Sequence, residues 1–369
     1  MHTFGCQMNV GDSIWLKRAL RAKGFLESLA TLDIQKAHPV DISIIYTCSV
    51  REKPEQKVYQ IISRLQHIHR DNPRYTIAVG GCVAQQLGES LLKRFPSVRL
   101  VFGSDNNSYI PEAISRLLEE PSLEISLVDF SDTYPERDFS VANTIAPVEY
   151  VNIMQGCDNF CTYCIVPFTR GKQKSRKATD IMKECSLLVE RGAKEIMLLG
   201  QNVNSYGKDN GEIPFSSLLR EIQSIAGLEK LSFMTPHPKD FDDATIECFA
   251  NNSILSSKIH LPLQSGSDKI LSAMGRQYTK KDYILLVEKL KTVRPQAVFS
   301  TDIIVGFPGE TEEDFSQTIE VMHEVGFAQS YSFCYSDRPG TQASLATNKV
   351  EKSIAMERLS RLQQEQVLL

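Results

Sequence analysis

The sequence predicts an α/β protein of two domains, an N-terminal parallel α/β sheet followed by a partial (β/α)6 TIM-like barrel. Short runs rich in β-branched residues alternate with amphipathic stretches of helical period along most of the chain, which is the pattern of parallel sheets built from βα units. The chain is 369 residues long, more than the roughly 100–200 residues of a single domain. A polar stretch carrying Pro121, Pro135 and Pro147 interrupts the alternation. The expected division is therefore 1–118 for the first domain, 119–147 for a linker, and 148–369 for the barrel with a C-terminal helix.

In the first domain, strands are expected over His2–Phe4, Ile42–Tyr46, Thr76–Val79 and Val98–Phe102, with helices over Asp12–Lys23, Lys53–His67, Gln85–Arg94 and Ile110–Leu118. Each of the first three strands runs into a cysteine: Cys6, Cys48 and Cys82. Carboxyl ends of neighbouring parallel strands share one edge of a sheet, so these three distant cysteines are expected to converge there. The small residues around them, Gly5, Ser49, Gly80 and Gly81, let backbone approach a bulky group. In the second domain, strands are expected near 149–154, 195–199, 230–234, 258–263, 298–305 and 328–334. Thr311 and Asp314 have the spacing of a helix capping box. Polar or glycine-rich residues stand at the expected strand ends, at 200–202, 260–266, 301–302 and 306–309, where a barrel holds its ligand.

Composition narrows the function classes. Hydrophobic residues make up 42% and charged residues 23% of the chain, values of an ordinary globular protein. No apolar run approaches the roughly 20 residues that span a bilayer, and the start lacks a basic-then-apolar signal, so a cytoplasmic protein is expected. In that compartment thiols stay reduced, and nine cysteines point to metal or redox chemistry rather than to disulfides. A net charge of -4 gives no global nucleic-acid footprint. One local basic stretch exists, formed by Arg170, Lys172, Lys174, Arg176 and Lys177.

The most specific chemical signal is Cys157-Asp-Asn-Phe-Cys161-Thr-Tyr-Cys164, on a loop after an expected barrel strand. A structural zinc site needs a fourth ligand, and no His or Cys follows Cys164 at close spacing. Three thiolates instead suit a 4Fe-4S cluster with one iron left open for a cofactor. Cys185, Cys248 and Cys334 fall inside regular helix or strand patterns and read as packing residues.

These residues resemble the radical S-adenosylmethionine methylthiotransferases over essentially the whole chain. The resemblance rests on Thr3-Phe4-Gly5-Cys6-Gln7-Met8-Asn9, Thr47-Cys48-Ser49-Val50-Arg51-Glu52-Lys53, Gly80-Gly81-Cys82-Val83-Ala84-Gln85 and the 156–167 segment. Leu199-Gly200-Gln201-Asn202 and Arg338-Pro339-Gly340-Thr341 add to it. The Phe-Gly-Cys-Gln-Met-Asn opening is similar to the tRNA-modifying, MiaB-type branch, whereas the ribosomal-protein branch more often shows Leu-Gly-Cys-Pro-Lys-Asn. Two features depart from the family pattern: the small β-rich RNA-binding TRAM domain is missing after the barrel, and the first strand is very short.

The resemblance implies a methylthiotransferase N-terminal domain with an auxiliary 4Fe-4S cluster on Cys6, Cys48 and Cys82. It implies a radical SAM barrel with a second 4Fe-4S cluster on Cys157, Cys161 and Cys164. S-adenosylmethionine, two per turnover, is expected near Tyr163, Gln201, Asn202 and Asp302. The implied reaction places a methylthio group on C2 of N6-(dimethylallyl)adenosine next to the anticodon of tRNA. An aromatic C–H offers neither an acidic proton nor a leaving group, so a cofactor has to supply the chemistry. The basic stretch would meet tRNA phosphates. Implied partners are isopentenylated tRNA, an electron donor such as flavodoxin or ferredoxin, and a sulfur donor, with no membrane and a monomeric protein. Two rival readings are methylthiolation of a ribosomal-protein aspartate and a non-catalytic iron-sulfur redox sensor.

Overall fold

Alternating β-branched residues build the sheet of the first unit. The computed structural model, which describes residues 1–28, 40–49, 52–72, 74–141, 145–251 and 253–368, contains β1 (His2–Thr3), β2 (Ile42–Thr47), β3 (Thr76–Gly81), β4 (Val98–Phe102) and β5 (Ile125–Leu127). All pairings are parallel and the order is β1-β2-β3-β4-β5. Successive residues of a strand point to opposite faces, and both faces are covered here. Leu16 and Leu20 of α1 (Gln7–Ala22) pack with Ile44, Tyr46, Ala78, Leu100 and Phe102 on one face. Val58, Ile61, Ile62 and Leu65 of α2 (Glu52–Asp71) pack with Ile45, Ile77, Val79 and Val101 on the other. Burial on both sides explains why these strands read as near-continuous apolar runs.

Three expectations change. The helix after Cys6 begins at Gln7 rather than Asp12. The expected third helix is divided at Gly88, φ 49°, into α3 (Cys82–Leu87) and α4 (Glu89–Arg94). After α5 (Ile110–Glu119), the stretch 119–147 is not simply a linker: β5 pairs with β4, and Arg137 is buried against Asp12. The first unit is formed by Met1–Ala146 together with Val166–Lys174, a segment that includes α6 (Val166–Arg170). The second unit is formed by Pro147–Ile165 and Ser175–Leu369.

The second unit carries the six expected strands. β6 (Val148–Asn152) is followed by the two-residue strands β7 (Met154–Gln155) and β8 (Lys174–Ser175), then α7 (Ala178–Glu190). Next come β9 (Glu195–Leu199), α8 (Phe215–Gln223), β10 (Lys230–Phe233), α9 (Asp243–Asn251) and β11 (Lys258–His260). The unit ends with α10 (Asp268–Ala273), α11 (Lys280–Val293), β12 (Val298–Val305), α12 (Glu312–Val325), β13 (Gln329–Cys334) and α13 (Lys352–Leu368). The strands form two parallel sheets, β10-β9-β6 and β11-β12-β13. Leu231 joins them by accepting from Ser256 N and donating to Ile254 O, each at 2.8 Å. The result is an arc of six parallel strands in chain order, an open version of the (β/α) barrel.

Local chemistry fixes the helix starts of this arc. The Thr311 hydroxyl accepts from Asp314 N, and Asp314 accepts from Thr311 N at 2.9 Å, so the expected capping box is formed. A second box, Thr279 with Asp282, begins α11. Among the described residues no helix is long and apolar enough to cross a membrane.

Candidate functional site: two cysteine triads

Cys6, Cys48 and Cys82 stand at the carboxyl ends of β1, β2 and β3, three neighbouring parallel strands. The sheet order has no reversal at this point, so simple adjacency of the strands brings the cysteines together. Cys6 occupies the N-cap of α1 with extended backbone, and Cys82 is the first residue of α3. None of the three is in a disulfide. The hydrogen bond from Cys48, and then the charge of Arg170, hold the Cys6 thiol down at about 6 despite burial. A thiol poised as thiolate near neutral pH is the protonation state a metal cluster needs of its ligands.

The peptide around the triad is shaped for close approach. Gly5 has φ 110°, and a Cβ there would lie 2.3 Å from Cys48 Cβ and 2.9 Å from its sulfur. Gly81, φ 90°, would bring a Cβ within 2.4 Å of the Thr47 carbonyl. Thr47 Oγ1 donates to Gly80 O at 2.6 Å and accepts from Val83 N at 3.1 Å, locking the second and third cysteine turns together. Asn9 Nδ2 donates to Phe4 O at 2.7 Å and to Thr47 O at 2.8 Å, locking the first and second. Convergent cysteines outside any disulfide, glycine where no side chain fits, and a Cys6 thiol shifted toward deprotonation together fit an iron-sulfur cluster held by three cysteines.

The second triad lies on one loop between Gln155 and α6. Its backbone is pinned at both flanks: Gly156 N donates to Gln201 Oε1 at 2.6 Å, and Thr162 donates through N to Met274 O at 3.0 Å and through Oγ1 to Ala273 O at 2.8 Å. Phe160 adopts φ 46° and is exposed, a conformation these anchors impose. Burial pushes the Cys157 thiol up to about 11, so here a bound metal has to drive deprotonation. Arg276, fully buried, compensates: Nη1 lies 3.6 Å from the Cys161 sulfur and 3.5 Å from Tyr163 Oη, while Nη2 donates to Pro262 O at 3.2 Å. Among the described residues no three His, Cys, Asp or Glu side chains gather as one ion requires. Ligands of a four-iron cluster bind different irons and stand farther apart.

The residues expected near S-adenosylmethionine lie on several elements of the arc. Tyr163 packs edge-on against Phe307, with ring centroids 6.5 Å apart. Gln201 turns out to anchor the cysteine loop through Gly156. Asn202, just after β9, donates to Asp240 Oδ2 at 2.7 Å, and its Oδ1 is buried without a protein partner. Asp302 sits in the middle of β12 rather than at its end, 3.2 Å from His260 Nε2. Near Asn202, His237 Nε2 is also buried without a partner, while its backbone N and O bond Asn204 at 2.8 and 2.9 Å. Burial and the Arg276 charge push the His237 pKa far down, so the ring is neutral. Such orphaned polar atoms beside a pinned cysteine loop fit a polar cofactor.

The basic stretch does not survive as a five-residue surface. Arg170, Lys174 and Arg176 are buried. Each has a carboxylate partner: Asp12 for Arg170 at 3.3 Å, Asp105 for Lys174, and Glu184 for Arg176 at 2.7 Å. Lys172 and Lys177 are the exposed pair. Asn9, Asp12 and Arg276 are site residues that sequence reasoning missed. The available signals were an Asn three positions after Cys6 and an arginine between Gly275 and the Thr279 capping box.

Comparison with known proteins agrees with this fold. Residues 151–322 match the radical SAM superfamily, and residues 1–103 match the uncharacterized protein family UPF0004. The tRNA-2-methylthio-N(6)-dimethylallyladenosine synthase of Lawsonia intracellularis is 52% identical over 378 residues, covering 99% of this chain and 81% of the relative. That of Oleidesulfovibrio alaskensis is 54% identical over 367 residues, covering 99% and 78%. In fold, the chain is similar to a radical S-adenosylmethionine methyltransferase, TsrM, from Kitasatospora setae, with TM-score 0.60 at 14% identity over 92% of this chain and 68% of that one.

Proposed function

Because the chain belongs to the tRNA-2-methylthio-N(6)-dimethylallyladenosine synthases, within the radical SAM superfamily, we propose that it places a methylthio group on C2 of the N6-(dimethylallyl)adenosine next to the anticodon of tRNA. The observation that carries this reading is the presence of two separate three-cysteine sites, one in each unit. Cys6, Cys48 and Cys82 would hold one 4Fe-4S cluster, and Cys157, Cys161 and Cys164 the other. Bound there with two S-adenosylmethionine molecules per turnover, these groups supply the one-electron and methyl-transfer chemistry that side chains lack.

The chain's own residues bind and orient. Gln201 holds the amide of Gly156, and so fixes where the cysteine loop starts. Arg276 keeps a fixed positive charge against Cys161 and Tyr163. Asn202 Oδ1 and the neutral His237 Nε2 offer an acceptor and a donor to S-adenosylmethionine. Tyr163 offers an aromatic edge to its adenine. A flavodoxin- or ferredoxin-class protein would deliver electrons, and a sulfide source the sulfur.

The test is an anaerobic assay of the full chain with reconstituted iron and sulfide, reductant, S-adenosylmethionine and isopentenylated tRNA, with digested nucleosides read by mass spectrometry. The methylthio adduct of isopentenyladenosine is the expected product. Its absence, in protein with full iron loading that still cleaves S-adenosylmethionine, overturns the substrate assignment.

Lys172 and Lys177 remain for tRNA phosphates. Each phosphate contact contributes about 0.9 to the slope of log affinity against log salt for duplex and about 0.7 for single strands. Lys172→Ala is expected to weaken tRNA binding and lower that slope by about one contact. Lys174→Ala is expected instead to leave the slope unchanged and cost about 3–5 kcal/mol of stability, because it takes the ammonium partner away from a buried carboxylate, Asp105. A filter-binding salt titration separates the two, and equal slopes for Lys172→Ala and the parent would remove Lys172 from the interface.

A further inference from the structure

Arg170 follows the second cysteine loop by six residues in sequence, yet its side chain belongs to the first triad. The guanidinium is 2% exposed. Nη2 donates to Asn9 Oδ1 at 2.7 Å, and Nη1 lies 3.3 Å from Asp12 Oδ2. Its charge also lies close enough to Cys82 and Cys6 to interact with both. Asp12 is held from its other oxygen by Arg137 Nη2 at 2.8 Å, so the carboxylate is fixed on both sides. Asn9 in turn holds the carbonyls of Phe4 and Thr47, one residue or two before Cys6 and Cys48. A single network thus touches the turns of all three cysteines.

The charges do not cancel within the network: two guanidiniums face one carboxylate. The surplus positive charge lies beside Cys82 and Cys6. N–H···S hydrogen bonds and net charge near the sulfurs are among the factors that set the potential of an iron-sulfur cluster. A fixed cation favours the more negative, reduced state.

We propose that Arg170 is a positioning and charge-balancing residue of the Cys6, Cys48 and Cys82 site, held by Asp12 and Asn9 so that its fixed charge stands beside the triad and raises the reduction potential of the cluster bound there. The inference rests on the reading that this triad holds a cluster. It places the peptide that leaves one cysteine loop in direct control of the other triad. Arg170→Gln removes the cation and Arg170→Lys keeps a cation but loses the planar fork.

The experiment uses the full chain carrying Cys157→Ala, Cys161→Ala and Cys164→Ala, so that only the first triad can be loaded, reconstituted anaerobically with iron and sulfide. Iron content, the EPR spectrum of the reduced protein and its midpoint potential are measured for this triple variant with Arg170 intact, which serves as the reference, and for each Arg170 substitution made in it. Arg170→Gln is expected to lower the one-electron reduction equilibrium at least tenfold, about 59 mV for one electron, with a changed EPR line shape. Arg170→Lys is expected to shift in the same direction by less, and it carries the test should Arg170→Gln fail to fold. Folded variants with the potential and spectrum of the reference overturn the assignment of Arg170. A reference protein that binds no iron overturns the cluster reading itself.

Discussion

Cys6→Ala is expected to abolish methylthio transfer while leaving cleavage of S-adenosylmethionine intact, whereas Cys161→Ala abolishes both. The asymmetry follows from location. Cys6 caps α1 in the first unit, with Cys48 and Cys82 as its partners, and Cys161 stands on the loop of the second unit against Arg276. If each triad holds a cluster as proposed, removing one of three thiolates would leave too few protein ligands at that site and spare the other. Bound iron should fall by about half in each variant, by the four irons of one cluster. Measured side by side, 5′-deoxyadenosine and methylthio-nucleoside yields separate the two sites. Loss of both products in an iron-loaded Cys6→Ala protein that keeps its 157–164 cluster would end the division of labour.

The strands, and the positions of cysteines after them, were legible because their signals are local. Hydrophobic alternation over 195–199 or 298–305 needs no distant partner, and neither does the Thr311 and Asp314 box. Cysteines placed after successive parallel strands converge whatever the rest of the chain does. The basic run failed for the opposite reason. Solvated and ion-paired lysines look alike in sequence, and the partner of Arg170 lies 158 positions away. Arg276 was invisible for the same cause, since its sulfur contact spans 115 positions. β5 is three residues long, too short for a period, and is specified by the exposed edge of β4 rather than by its own pattern. Asp302 was read as a strand-end residue although β12 spans its expected range, Val298–Val305, and Asp302 lies three residues before that end.

Asp12→Ala is expected to be among the most damaging single changes outside the cysteines. Asp12 is completely buried, and its two oxygens serve Arg137 at 2.8 Å and Arg170 at 3.3 Å. Truncation takes the shared carboxylate away from two guanidiniums in a dry interior, and breaking a buried pair in this way costs about 3–5 kcal/mol. Asp12→Asn, which keeps an acceptor of the same shape, should cost less. Glu229→Ala provides the contrast: its partner Lys194 is 2.7 Å away but both side chains are more than half exposed, and such pairs contribute about 0–1 kcal/mol. Urea unfolding of the metal-free protein should therefore show a large fall in midpoint for Asp12→Ala and almost none for Glu229→Ala. Equal midpoints would mean that the first unit tolerates unpaired arginines, and the network would then exist for the cysteine triad rather than for the fold.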